Sequence, residues 1–157
     1  MTGEHGEPLD PETWFARLQR LEGATTEPLA PDRLIRMTYN LVRLAPLPMR
    51  DLLPSPLPEE ELEAILDCHA YVDAILHLMG TRFAFHLLKK PGDNDYRATV
   101  GLDPASQIGE ATSRDCATAM LTAWVRCMAH LQTRSALVTD RDLHIYRSGS
   151  PPSSTEH

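Results

Sequence analysis

Seven histidines and three cysteines are the residues through which this chain could do metal or nucleophilic chemistry, and their spacing argues against both. A tetrahedral metal site needs ligands that converge, and neither a C-x-x-C nor an H-x-x-x-H pair occurs. His69 adjoins Cys68, but neighbours on a helix point about 100° apart. His69 falls in an apolar stripe and is expected to be a hydrogen-bonded core histidine, while Asp73 and His77, one turn apart, form a surface pair. Of the cysteines only Cys116, in the first turn of a helix, has the setting that activates a thiolate, and packing as a small residue against a sheet is the expected role for it. No Gly-rich phosphate loop and no G-x-S-x-G element is present. The expectation is a chain with no catalytic residue, no metal and no cofactor, and therefore not an enzyme.

Positive charge is the more informative chemistry. Arg82, His86, Arg97 and Thr99 would project together from one face of a strand hairpin, with Lys89 and Lys90 at its turn. Such a surface suits an acidic protein patch or a phosphate, and it is also what the wet face of a two-layer sheet looks like. A second basic stripe, Arg33, Arg36, Asn40 and Arg43, recurs at helical spacing. It is either a docking surface for an acidic partner or a face paired with the carboxylates of Glu59 to Glu63.

The elements that must position these groups lie between Pro58 and Leu131. Pro58 followed by Glu59, Glu60 and Glu61 opens a helix, with carboxylates at the positive end of its dipole. Leu62, Ile65, Leu66, His69, Val72, Ile75, Leu76 and Met79 then predict one long amphipathic helix that Gly80 terminates. Phe83, Phe85 and Leu87 alternate with polar or small neighbours, as do Tyr96, Ala98, Val100 and Leu102, which predicts two strands. Lys89 to Asp95 carries turn residues, so the strands form an antiparallel hairpin, with Ile108 to Ala111 a candidate third strand. Thr112-Ser113-Arg114-Asp115 has the form of a capping box opening a second long helix. Ala117, Met120, Leu121, Trp124, Val125, Met128 and Leu131 make its stripe, and Cys116, Ala119, Ala123 and Cys127 are small enough for close approach to the sheet.

Ahead of this unit, Asp10-Pro11-Glu12 opens a helix with Trp14, Phe15, Leu18 and Leu21 on one face and Gly23 at its end. Pro31-Asp32 opens another with Leu34, Met37, Thr38, Leu41 and Leu44 inward. Prolines 46, 48, 54, 56 and 58 then predict an extended strap, with one helical turn from Met49 to Leu53. Beyond Leu131, Ser135 to Val138 and Leu143 to Tyr146 are candidates for a short edge strand or hairpin. The organisation expected is one α+β domain over 1–147, made of a helical pair (10–45), a Pro-rich strap (46–58) and an α-β-β-α unit (59–132), followed by a disordered tail at 148–157.

At 157 residues and 42% hydrophobic content the chain can bury a core without disulfides or metal. No apolar run reaches the ~20 residues that cross a bilayer, and the polar, acidic start is unlike a signal peptide, so a cytoplasmic protein without membrane association is expected. Net charge is −7, and residues 1 to 80 hold 14 acidic against 6 basic side chains, while 81 to 157 hold 8 against 9. That distribution disfavours general nucleic-acid affinity, which needs clustered cations. Two lysines against thirteen arginines suggest a GC-rich bacterial or phage source. Whether a second copy buries Trp14-Phe15 or the small-residue side of the last helix is open, so a homo-oligomer stays among the expectations.

The run from Glu61 to Leu131, with its hairpin, Gly109, the Thr112/Ser113 cap and an Ala-rich helix, resembles the small phage-encoded domains of the ABA-sandwich (α-β-β-α) type. It has a fainter resemblance to double-stranded-RNA-binding domains. That family places a lysine cluster at the start of the last helix, where this chain has Ser113-Arg114-Asp115-Cys116. The resemblance implies a small accessory protein of a bacterium, phage or mobile element and no particular chemistry. From the lack of catalytic motifs and the charge split between the two halves, the function expected is docking on a macromolecular complex, inhibition of a host defence system (anti-CRISPR-like) being one form. The alternative is a divergent nucleic-acid binder using Arg82, His86, Lys89, Lys90 and Arg97.

Overall fold

The computed structural model describes residues 7–47, 49–102 and 108–131. Over these residues the chain is α+β, in the order α1 (Pro11–Thr25), α2 (Pro31–Val42), α3 (Met49–Leu52), α4 (Glu59–Asp67), α5 (Tyr71–Met79), β1 (Ala84–Leu88), β2 (Tyr96–Gly101) and β3 (Ile108–Ser113), closing with α6 over 116–131. The edge strand expected between Ser135 and Tyr146 and the tail at 148–157 fall outside the described residues.

Local chemistry sets the first helices. The Asp10 carboxylate caps α1, accepting from the Thr13 amide at 3.0 Å, and Pro11 supplies a preset first φ. Gly23 does not end this helix, which runs on to Thr25 with Thr26 at its cap. A single glycine costs a helix only about 1 kcal/mol, and burial of Leu21 and Thr25 outweighs that. Trp14 is fully buried and donates its indole N–H to the Leu41 carbonyl at 2.7 Å, fixing α1 on α2. In α2 the buried face is Leu34, Ile35, Thr38, Tyr39 and Leu41, and Met37, expected inward, is exposed.

The strap holds its single helical turn, α3, and is tied at two points. Tyr39 Oη donates to the Leu57 carbonyl at 2.6 Å. Pro54 lies so close to Gly80 that a Cβ there would meet its ring at 2.8 Å, and Gly80 also has a φ of +74°, so glycine is required twice over.

The expected long helix is two. His69 adopts a φ of +57°, its amide bonds the Leu66 carbonyl at 2.9 Å, and the Ala70 amide bonds the Ile65 carbonyl at 3.2 Å. Those bonds are the paired closures of a Schellman ending, with His69 in the left-handed seat that glycine usually fills. His69 is consequently exposed, not in the core, with Nδ1 at 2.8 Å from Tyr71 Oη. Cys68 is exposed beside it.

The sheet is antiparallel in the order β1-β2-β3, with Phe85 opposite Val100 and Val100 opposite Gly109. Thr112, expected as a helix cap, is a strand residue paired with Arg97. The cap of α6 is Asp115, whose carboxylate accepts from the Thr118 amide and hydroxyl, both at 2.8 Å. From Ala117 to Met128 every side chain of α6 except Thr118 and Arg126 is buried. A helix buried over most of its circumference needs cover on more than one face. The sheet provides one, through Val100, Ala98, Gly109 and Ala111, and the helical layer the other, with Arg126 of α6 reaching Glu22 of α1 at 3.6 Å.

Candidate functional site

Among the described residues β1 is the element left without cover. Its five residues, Ala84, Phe85, His86, Leu87 and Leu88, are all exposed, with Phe85 at 45%, Leu87 at 37% and Leu88 at 52%. By register Phe85 and Leu87 share the face of Val100 and Ala98, the face on which α6 meets Gly109, yet Val100 and Ala98 are buried there while Phe85 and Leu87 are not. Only Phe83, just before β1, turns under α6 and is buried, meeting Trp124 edge-on with ring centroids 6.0 Å apart.

β1 is also an edge. Alternate residues of an edge strand turn backbone N–H and C=O groups away from the sheet, and such strands are ordinarily blunted by charge, proline or a bulge. Ala84 to Leu88 contains none of these. At the opposite edge Arg126 Nη1 donates to the Glu110 carbonyl of β3 at 2.7 Å. No comparable bond from outside the sheet reaches β1 among the described residues.

The cationic residues divide around this strand. Arg82 precedes it, Lys89 and Lys90 follow it, and all three are exposed. Lys89 Nζ stands 5.2 Å from the centre of the Tyr96 ring, on the side of Phe85 and Leu87. His86 lies opposite Thr99, and Leu88 opposite Arg97, so these four occupy the outer face as the alternation predicts. On that face Arg97 meets Glu110 at 3.2 Å, which neutralises the charge expected there.

The second basic stripe does not act as a unit. Arg36 is held by Glu63, with Nε to Oε1 at 2.8 Å and Nη2 to Oε2 at 2.9 Å, and by Asp32 at 2.8 Å. This two-pronged geometry joins α2 to α4 and pulls the Glu63 carboxyl below its ordinary range, the Arg36 hydrogen bonds being the main cause. Arg43 lies over the Tyr39 ring at 5.3 Å, and Arg33 is exposed.

The residues suited to bond-making chemistry are scattered. Cys127 is buried against the sheet, and desolvation pushes its thiol up to about 11, away from reactivity. Cys116 is the first residue of α6 and half-buried. Among the described residues no three His, Cys, Asp or Glu side chains gather as metal ligands would. An open cavity of about 490 Å³ between the α1–α2 loop and the start of α6 is lined by Thr25, Glu27, Thr112, Arg114, Asp115 and other groups, with no cysteine or histidine. The Asp115 carboxylate there is already engaged as the helix cap.

No protein-family model matches the chain, and no curated protein or solved structure does either. Among the described residues no helix is long and apolar enough to cross a membrane.

Phe85, Leu87 and Leu88 were not singled out from the sequence as surface residues. Alternation tells which side of a sheet a residue takes, and not whether that side is covered. The absence of charge or proline within Ala84 to Leu88 is the signal that could have marked them.

Proposed function

We propose that this chain is a protein-binding module that acts by docking rather than by catalysis, with the β1 edge of its sheet as the docking surface. The observation that carries the reading is the exposure of Phe85, Leu87 and Leu88 on a strand whose outward backbone groups have no partner among the described residues. Exposed apolar side chains clustered on one short element mark interaction sites more often than scattered ones do. Arg82, Lys89 and Lys90 rim the strand with positive charge, which favours a partner bearing carboxylates. Inhibition of a larger complex, a host defence system included, is an activity that such docking would produce.

The alternative, nucleic-acid binding through Arg82, His86, Lys89, Lys90 and Arg97, is weaker support for the same surface. Arg97 is paired with Glu110, and the exposed apolar Leu88 stands opposite it on that same outer face.

Affinity capture from a lysate of the source cell, with nuclease-treated and untreated halves in parallel, separates the two. A stoichiometric protein retained after nuclease is the expected result. Recovery of nucleic acid alone, released at moderate salt, would promote the alternative.

A further inference from the structure

From the backbone of β1 we infer that the partner binds by strand addition. An extended segment pairs with Ala84 to Leu88 as a fourth strand, places apolar residues at alternate positions beside Phe85 and Leu87, and carries carboxylates at its ends. This inference rests on the docking reading above and specifies its chemistry.

Three observations combine. The outward side of β1 is a row of backbone donors and acceptors that only another extended backbone can satisfy in register. Phe85 and Leu87 stand on the α6 side of the sheet and are exposed there, so an added strand with alternate apolar residues would extend the covered layer sideways. And from Thr81 to Gly92 the chain carries Arg82, Lys89 and Lys90 with no carboxylate at all.

The same charges argue against a second copy as the occupant. In an antiparallel pairing of two β1 strands centred on His86, Arg82 of one copy falls opposite Lys90 of the other, at both ends of the ribbon. A parallel pairing sets the lysine pairs side by side. Like charges across a ladder destabilise it, whereas a segment ending in Asp or Glu meets attraction at each end.

Selection of a displayed library of random twelve-residue peptides on the full chain at low salt tests this, followed by titration of the enriched synthetic peptides and hydrogen exchange of the β1 amides. Enriched peptides should alternate apolar and polar residues between acidic ends, and slow exchange across Ala84 to Leu88. Combined Arg82→Glu, Lys89→Glu and Lys90→Glu substitution should weaken them by about tenfold or more, by the usual worth of rim charges. All three side chains are exposed, so the variant keeps its fold. Apolar residues at three- and four-residue spacing, protection at a different surface, or no enrichment would each overturn strand addition. In those cases the docking reading still stands or falls on the protein captured from lysate. Exchange already slow at every β1 amide of the free chain would overturn the inference too, and if that slowing grew with concentration it would identify a second copy as the occupant.

Discussion

Gly109 of β3 lies so close to Cys127 of α6 that a Cβ at the glycine would collide with the backbone of Cys127 and of Ala123. Helix and sheet meet there backbone to backbone, and the small residues of α6 exist for that contact. Gly109→Ala must separate the two layers, and overpacking of this kind costs about 1–3 kcal/mol. Urea denaturation of the variant should show that loss, whereas Gly23→Ala, where the added methyl meets nothing within 4 Å, should stabilise slightly.

The two tryptophans are buried alike and bonded differently. Trp14 donates to the Leu41 carbonyl at 2.7 Å, while Trp124 Nε1 is buried with no acceptor among the described residues. Trp14→Phe should cost about 1 kcal/mol beyond the lost ring area, since it removes the buried indole bond and leaves the Leu41 carbonyl with only the Leu44 amide at 3.0 Å. Trp124→Phe removes a donor with no such acceptor, so thermal denaturation should place it well above Trp14→Phe in stability.

Acid should act partly through the α2–α4 link. Arg36 lowers the Glu63 pKa from its ordinary 4.5, so the folded chain binds that proton less readily than the unfolded one. The contribution is present above the ordinary value and is lost as pH falls through the folded value. The stability gap between wild type and Glu63→Gln should therefore narrow on acidification from neutral pH to about pH 3, as measured by urea unfolding. A gap that stays constant with pH would remove Glu63 from the acid response.

Thiol labelling should separate the cysteines. At about pH 8 a thiol reagent should modify exposed Cys68 first and leave Cys127 unmodified until the chain unfolds, because burial raises that thiol to about 11 and also bars the reagent. Rapid native labelling of Cys127 would mean that α6 lifts from the sheet.

Where local chemistry decided the structure, the sequence was legible. Asp10-Pro11-Glu12 specified the start of α1, Gly80 the end of α5, and alternation about Lys89 to Asp95 the hairpin. The small side of the last helix, read from Ala119, Ala123 and Cys127, is where Gly109 makes its contact. Two boundaries moved because the deciding interaction is not written locally. His69 takes a left-handed seat that its residue type does not advertise, so α4 and α5 looked continuous. Thr112 is the cap expected of the box, with Asp115 as its partner, and strand pairing of Thr112 with Arg97 leaves the capping role to Asp115. The candidate site was half legible. Alternation places His86 on the outer face with Thr99 and Arg97, but the exposure of Phe85, Leu87 and Leu88 depends on how the sheet is covered, which no periodicity encodes.

The most direct measurement compares capture by the wild type with capture by a Phe85→Ser, Leu87→Ser, Leu88→Ser variant, from the same nuclease-treated lysate. All three side chains already face solvent to a large degree, so circular dichroism of the variant should match the wild type. The docking account predicts that a stoichiometric protein bound by the wild type is lost by the variant. Retention of that same protein at the same yield would contradict it and move the docking surface elsewhere on the chain.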